Sequence, residues 1–242
     1  NSVFPLDLFQ DFFFKQLKKI RVFDSPGNLP TERVSLIAVS NKFGYSFIGC
    51  PTGIYLIVTV LIPVTEFPSV LVPVNHAVRH VGLSSDDLNL SVCYENAAAE
   101  IVMRLYDVPT LCQQVAWNGS SKIIVIEHLH YVVALQWNPG ISNMFALCLS
   151  DGSVSVWEVT SSDINQLAAL GPTTRATAIC WSPKGKQLVV GHKNGKLTQL
   201  TPGLQPKKET DCPDIFGSEP HQVTSVCWIS APVFAVVYTG VE

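Results

Sequence analysis

Charge is scarce in this chain of 242 residues: 14% are charged and 47% hydrophobic, where a usual charged share is about 25%. Such a balance excludes a largely disordered chain, which stays unfolded through high charge and low apolar content. A basic excess is missing as well. The formal net charge is -3, so no broad cationic face awaits a phosphate backbone, and no direct specific nucleic-acid binding is expected. Small basic clusters exist at Lys15, Lys18, Lys19 and Arg21, and at Lys184, Lys186, Lys193 and Lys196; solvated turns account for both.

Long apolar runs are also lacking. The strongest, Ile54 to Pro63, is about half of the roughly 20 residues a spanning helix needs, so no membrane insertion is expected. Its β-branched content suggests a buried strand. Asp7 and Asp11 interrupt the early apolar residues and no basic stretch precedes them, which argues against a secretory signal and for a soluble chain. The seven cysteines (Cys50, Cys93, Cys112, Cys148, Cys180, Cys212, Cys227) are odd in number, scattered, and form no Cys-x-x-Cys pair. Neither a disulfide framework nor a zinc site is expected, and a reducing compartment is. There the glycosylation patterns at Asn89 and Asn118 are idle.

Catalytic constellations are thin. His76 and His80 stand four apart, the spacing of paired ligands on a helical turn, but Pro73, Val74, Val78 and Val81 argue for strand. His128 and His130 would share a strand face without an evident third ligand. Asp86 and Asp87 are adjacent, so they point apart and serve a turn better than an acid–base pair. Gly185, Gly191 and Gly195 lie in a lysine-rich stretch, yet no G-x-x-x-x-G-K-[ST] occurs. Ser182 has no nucleophile elbow. Ser25-Pro26 and Ser182-Pro183 fit proline-directed phosphorylation, and plain turns equally. No enzyme, cofactor or metal is expected.

What the chain does have is repetition. Val132-Val133-Ala134-Leu135-Gln136-Trp137-Asn138-Pro139, Ala176-Thr177-Ala178-Ile179-Cys180-Trp181-Ser182-Pro183 and Val223-Thr224-Ser225-Val226-Cys227-Trp228-Ile229-Ser230 are nearly one phrase, with tryptophans 44 and 47 residues apart. Asp151-Gly152 and Asn194-Gly195 keep step at 43 residues, each followed by an alternating apolar run. A period of about 40–45 residues with four strands per period marks the blades of a β-propeller. The fold expected is therefore all-β and WD-repeat-like. Its repeat markers are Trp137, Trp181 and Trp228, read as packing between blades, with Gly152 and Gly195 at turns.

Strands are read at 19–23, 35–39, 45–49 and 54–58, with turn chemistry at Asp24-Ser25-Pro26-Gly27-Asn28. A second unit places strands at 80–84, 90–93 and 101–108 around a turn at Ser85-Asp86-Asp87. A third carries 145–149 and 154–159, a fourth 187–191 and 196–200, and a fifth 223 to 238. Residues 1–242 thus read as the N-terminal part of one propeller, about four and a half blades, ending in mid-blade and expected to expose blade edges.

Leu17-Lys18-Lys19-Ile20-Arg21-Val22-Phe23-Asp24-Ser25-Pro26, Leu36-Ile37-Ala38-Val39-Ser40-Asn41-Lys42-Phe43-Gly44 and Cys180-Trp181-Ser182-Pro183-Lys184-Gly185-Lys186-Gln187-Leu188 carry a resemblance. With Trp137-Asn138-Pro139, Asp151-Gly152-Ser153, Trp228-Ile229 and Val233 to Tyr238, they resemble, in collinear order, the N-terminal β-propeller of the cytoplasmic-face FG nucleoporin called CAN. The resemblance implies seven blades, a place on the cytoplasmic side of the nuclear pore complex, and recruitment of a DEAD-box RNA helicase for mRNA export. It also implies other cytoplasmic-face nucleoporins as neighbours, and exportins bound through FG repeats that this chain does not contain, as it lacks the coiled coil. The helicase contact lies largely on later blades, so no partner-binding residue is carried over. A generic WD-repeat adaptor of another complex fits the blades but not the shared N-terminal run. A propeller enzyme would need His, Asp or Glu at inward strand starts, which the tryptophan-bearing strands do not show.

Overall fold

The computed structural model describes residues 35–58, 69–98, 100–113, 122–128, 130–213, 221–230 and 233–239. They form four four-stranded antiparallel sheets and one two-stranded sheet, each a meander in chain order. The first holds β1 (Ile37–Ser40), β2 (Tyr45–Gly49), β3 (Gly53–Val58) and β4 (Ser69–Pro73). The second holds β5 (Val78–Leu83), β6 (Asn89–Glu95), β7 (Glu100–Asp107) and β8 (Lys122–His128). The third holds β9 (Val132–Trp137), β10 (Met144–Leu149), β11 (Val154–Val159) and β12 (Ile164–Leu170). The fourth holds β13 (Ala176–Trp181), β14 (Leu188–His192), β15 (Leu197–Leu200) and β16 (Pro206–Thr210), and the last β17 (Val223–Ser230) and β18 (Val233–Tyr238).

First strands touch first strands, β1 to β5, β5 to β9, β9 to β13 and β13 to β17, so the sheets radiate from a common axis as propeller blades. Second strands are buried on both sides, and the period of two divides their residues between neighbours. In β10, Phe145, Leu147 and Leu149 join Met103 and Leu105 of the second blade. Met144, Ala146 and Cys148 join Ile179, Leu188 and Val190 of the fourth. In β14 the intervening Val189 turns the other way, onto Val223 and Val226. A strand pressed from both faces needs an unbroken apolar run, which is what Met144–Leu149 supplies.

Outer strands are the opposite case. β16 is exposed throughout and β12 nearly so. Their sequences, Pro-Lys-Lys-Glu-Thr and Ile-Asn-Gln-Leu-Ala-Ala-Leu, carry no clean alternation, and β4, β8, β12 and β16 are all missing from the strands read in the sequence. Several boundaries also shift by a residue or two, among them two in the second blade. The first strand of the second blade opens at Val78, not His80. Its third ends at Asp107, because Val108–Gln113 turns into a short helix, α1. Asp107 Oδ2 accepts the Thr110 amide at 2.9 Å and Pro109 sits in the first turn, both helix-start chemistry. The strand at 19–23, the turn at 24–28, the clusters at Lys15–Arg21 and the Asn118 pattern lie outside the described residues.

Candidate interaction surface

Blades of one sequence pattern meet through bonds that recur once per period. Trp137, the last residue of β9, is buried and donates its Nε1–H to Ser91 Oγ of the preceding blade at 3.0 Å. Trp181, the last of β13, does the same to the Gln136 carbonyl at 3.0 Å. Gln136 Oε1 also accepts the Trp181 amide at 3.4 Å, and one period on Cys180 Sγ accepts the Trp228 amide at 3.4 Å. Trp228 itself departs from the pattern. It is only half-buried, it packs on Phe234 at 4.5 Å between ring centroids, and its Nε1 has no hydrogen-bond partner. Trp137 and Trp181 are thus buried against the preceding blade, whereas Trp228 lies on the last described sheet.

One rim is made by the turns that join first to second strands, and these turns are tied to each other. Ser40 Oγ donates to Asp87 Oδ2 at 2.7 Å, and Lys42 Nζ to the Asp86 carbonyl at 3.1 Å, which joins the first turn to the second. Asp86 and Asp87 therefore do more than shape a turn. Burial opposes the charge of Asp86, yet the bonds from Ser84, Leu88 and Ser142 outweigh it and hold its pKa below the usual value, and Ser142 belongs to the third turn. Asn138, fully buried, donates from Nδ2 to the Gly185 carbonyl of the fourth turn at 2.9 Å. Its Oδ1 accepts the amides of Gly140 and Ile141 at 2.8 and 2.9 Å. Four turns thus form one connected chain along this rim.

The other rim carries the turns between second and third strands, each wedged under the connector to the next blade. Gly152 has φ +88, and a Cβ there would stand 2.7 Å from Arg175 Cα. Gly195 has φ +82, and its Cβ would stand 2.7 Å from the His221 carbonyl. The repeated glycine answers two demands at once, a left-handed backbone and no room for a side chain. The Ala176 amide donates to Gly152 O at 3.1 Å, and Thr177 Oγ1 to Val223 O at 2.6 Å, which anchors successive blades. Gly185 lies in the opposite rim at φ +67, and Gly191 is packed under Val223, so the three glycines of the lysine-rich stretch do not converge on a phosphate cradle.

Chemistry finds little purchase here. His76 stacks on Tyr94 at 5.3 Å, while His80 lies buried in β5; burial lowers its pKa to about 4, against a hydrogen bond to the Leu135 backbone. His130 reaches Asp151 at 4.0 Å. Among the described residues no three His, Cys, Asp or Glu side chains gather as a metal site. All seven thiols are free; burial pushes those of Cys93 and Cys148 up to about 12, which silences them as nucleophiles. Ser182 Oγ accepts the Gln187 amide at 3.0 Å within its turn. Among the described residues no helix is long and apolar enough to cross a membrane. What the geometry offers is two rims of loops on a stiff frame, a surface for docking a macromolecule. Ser40, Ser91, Asn138 and Thr177 escaped notice as site residues; the signal for them was a polar partner 46 or 47 residues away, one repeat further on or back.

Comparison with known proteins gives the frame a lineage. The profile of the NUP159/214 beta propeller matches residues 67–242. The human nuclear pore complex protein Nup214 is 36% identical over the whole chain, and Nup214 of Drosophila melanogaster 29% identical over 95% of it. The chain spans only 12% and 14% of those two proteins. Among solved structures, the N-terminal domain of Nup159 superposes with a TM-score of 0.60 at 16% identity, covering 89% of this chain and 55% of that one. A chain of the mitotic checkpoint complex gives 0.63 at 18% identity, which speaks for the fold alone. The described meanders are thus blades of one inherited propeller, and the chain belongs to the NUP159/214 β-propeller family.

Proposed function

We propose that this chain is a non-enzymatic docking element of the nuclear pore complex, placed at its cytoplasmic side, where it holds a DEAD-box RNA helicase that serves mRNA export. Its five sheets are the N-terminal part of one seven-bladed propeller, with other nucleoporins of the same face as neighbours and protein transport supported through regions outside the chain. The observation that carries this is 36% identity to the human Nup214 over the whole of this chain. The frame supports it. Loops tied blade to blade present a surface that loses little conformational freedom on binding. If the helicase docks through its RNA-binding face, RNA and propeller compete, and the pore gains a means of promoting RNA release.

The test is a titration of the propeller, extended to its closing blade, with the helicase, with and without single-stranded RNA. Micromolar or tighter binding that RNA weakens is the expected result. A folded, closed propeller that leaves the helicase unbound at every concentration would refute the recruitment reading.

A further inference from the structure

Two outer strands in equivalent places treat their open edges differently. β16 carries Pro206, Lys207, Lys208 and Glu209, all exposed. Proline and charge are standard guards against pairing with a foreign strand. β12 is also the last strand of its sheet, yet Ile164–Leu170 has neither charge nor proline, and Leu167 is 47% exposed. Its single irregularity is a bulge at Leu167, which leaves Ala168, Ala169 and Leu170 in regular register with β11. By the logic that guards β16, β12 is open to pairing.

Beside that regular half lies a cavity of about 430 Å³, lined by Gln166, Ala169 and Leu170 of β12 together with Trp157, Asp151 and His130. Trp157 is half-buried and commits its Nε1–H to Ser155 Oγ at 2.8 Å, so the ring is held in place and its surface is what remains to offer. Asp151 Oδ1 takes both bonds from Ser153, the amide at 2.9 Å and the hydroxyl at 2.7 Å. Its Oδ2 faces His130 Nε2 across 4.0 Å, beyond hydrogen-bonding distance. Burial works against this carboxylate, but the Ser153 bonds and His130 prevail and keep its pKa below the usual value. Among the described residues no lysine or arginine lines the cavity.

An apolar guest would cover that carboxylate without replacing its water, and an anion would meet its charge. A cation does neither: an ammonium or guanidinium bonds to the carboxylate and lies against the indole. The adjoining edge adds main-chain donors and acceptors in line, so the guest is a side chain of an extended segment. We infer that β12 and this cavity form a docking groove for an extended peptide, uncharged along the strand except for one basic side chain that enters between Trp157 and Asp151.

The probe is a phage-displayed library of random peptides about twelve residues long, selected on the immobilised chain and titrated as free peptides by fluorescence anisotropy. Enriched sequences should share one arginine or lysine within a run of β-forming residues. They should bind about tenfold or more weakly to Asp151→Asn, which keeps the acceptor for Ser153 but drops the charge. Ala169→Lys, which places a tethered cation at the cavity wall, should weaken them likewise, both variants showing the parent's circular dichroism. Absence of enrichment, enriched peptides with no shared cation, or peptides that bind both variants as tightly as the parent would overturn the inference.

Discussion

Replacing Asn138 by Asp changes one group in the buried knot between the third and fourth blades. The wild-type side chain makes three strong bonds: Oδ1 accepts from the Gly140 and Ile141 amides, and Nδ2 donates to the Gly185 carbonyl, all within 2.8–2.9 Å. Aspartate keeps both acceptor bonds but sets an oxygen against the Gly185 carbonyl, at a fully buried site. At neutral pH the carboxylate is an uncompensated buried charge, with a penalty of about 3–5 kcal/mol. Protonation repairs the geometry, because the acid O–H donates where the amide did. The variant's folded-state pKa therefore lies above its unfolded value of about 3.9. Its folded state binds the extra proton, so the deficit relative to wild type shrinks as pH falls through the raised pKa. Asn138→Ala orphans the buried Gly185 carbonyl and removes the side-chain acceptor of the Gly140 and Ile141 amides, costs about 2 kcal/mol, and shows no such recovery. Urea unfolding followed by tryptophan fluorescence, wild type and variants side block by side at pH 7 and pH 5, separates the cases. A deficit for Asp that equals that of Ala and stays constant with pH would refute the bonding scheme.

His80 provides the pH dependence of the wild type. Its pKa is lowered to about 4 from 6.5 by burial, so between those values the unfolded chain binds a proton that the folded chain refuses. Stability is full above pH 6.5 and falls by about 3 kcal/mol as pH drops to 4; His80→Gln should flatten the urea midpoint over this window, and a wild-type midpoint already flat would contradict the burial. Gly152→Ala should cost about 3 kcal/mol, from the left-handed backbone and the 2.7 Å approach to Arg175 Cα. Gly171→Ala, at φ -74 with nothing within 4 Å, should be neutral or slightly stabilising. Equal thermal midpoints for the two alanine variants would sink the argument.

Which parts were legible in the sequence follows from what each strand touches. β10 and β14 lie between two blades, so Met144–Leu149 and Leu188-Val189-Val190 are unbroken apolar runs that stand out. β12 and β16 touch one neighbour and water, and their sequences read as loop. The tryptophan and glycine markers could be seen because they recur, and the structure gives their cause in bonds to the preceding blade and contacts with the next. Trp228 shows the limit of that reasoning: the repeat predicts its place in the strand, while burial depends on what packs beyond it. The interaction rims were the least legible. Asp87 looked like turn chemistry because its partner, Ser40, is one repeat away and invisible to any local window.

That spacing carries the functional argument. Ser40 to Asp87, Ser91 to Trp137, Gln136 to Trp181, Asn138 to Gly185 and Thr177 to Val223 each join residues 45–47 positions apart. Each bond links one blade to the next at the rims or beside the axis, where no apolar contact could fix rotation of one sheet against its neighbour. Hydrophobic burial between sheets is non-directional and would tolerate small slips. Hydrogen bonds do not, and where both partners are buried, as in Ser91–Trp137 and Asn138–Gly185, a slip orphans them at about 1–3 kcal/mol each. A chain that places directional bonds between its repeats at one constant spacing is built to hold loops in fixed positions. Fixed loops are the geometry that the proposed docking role requires.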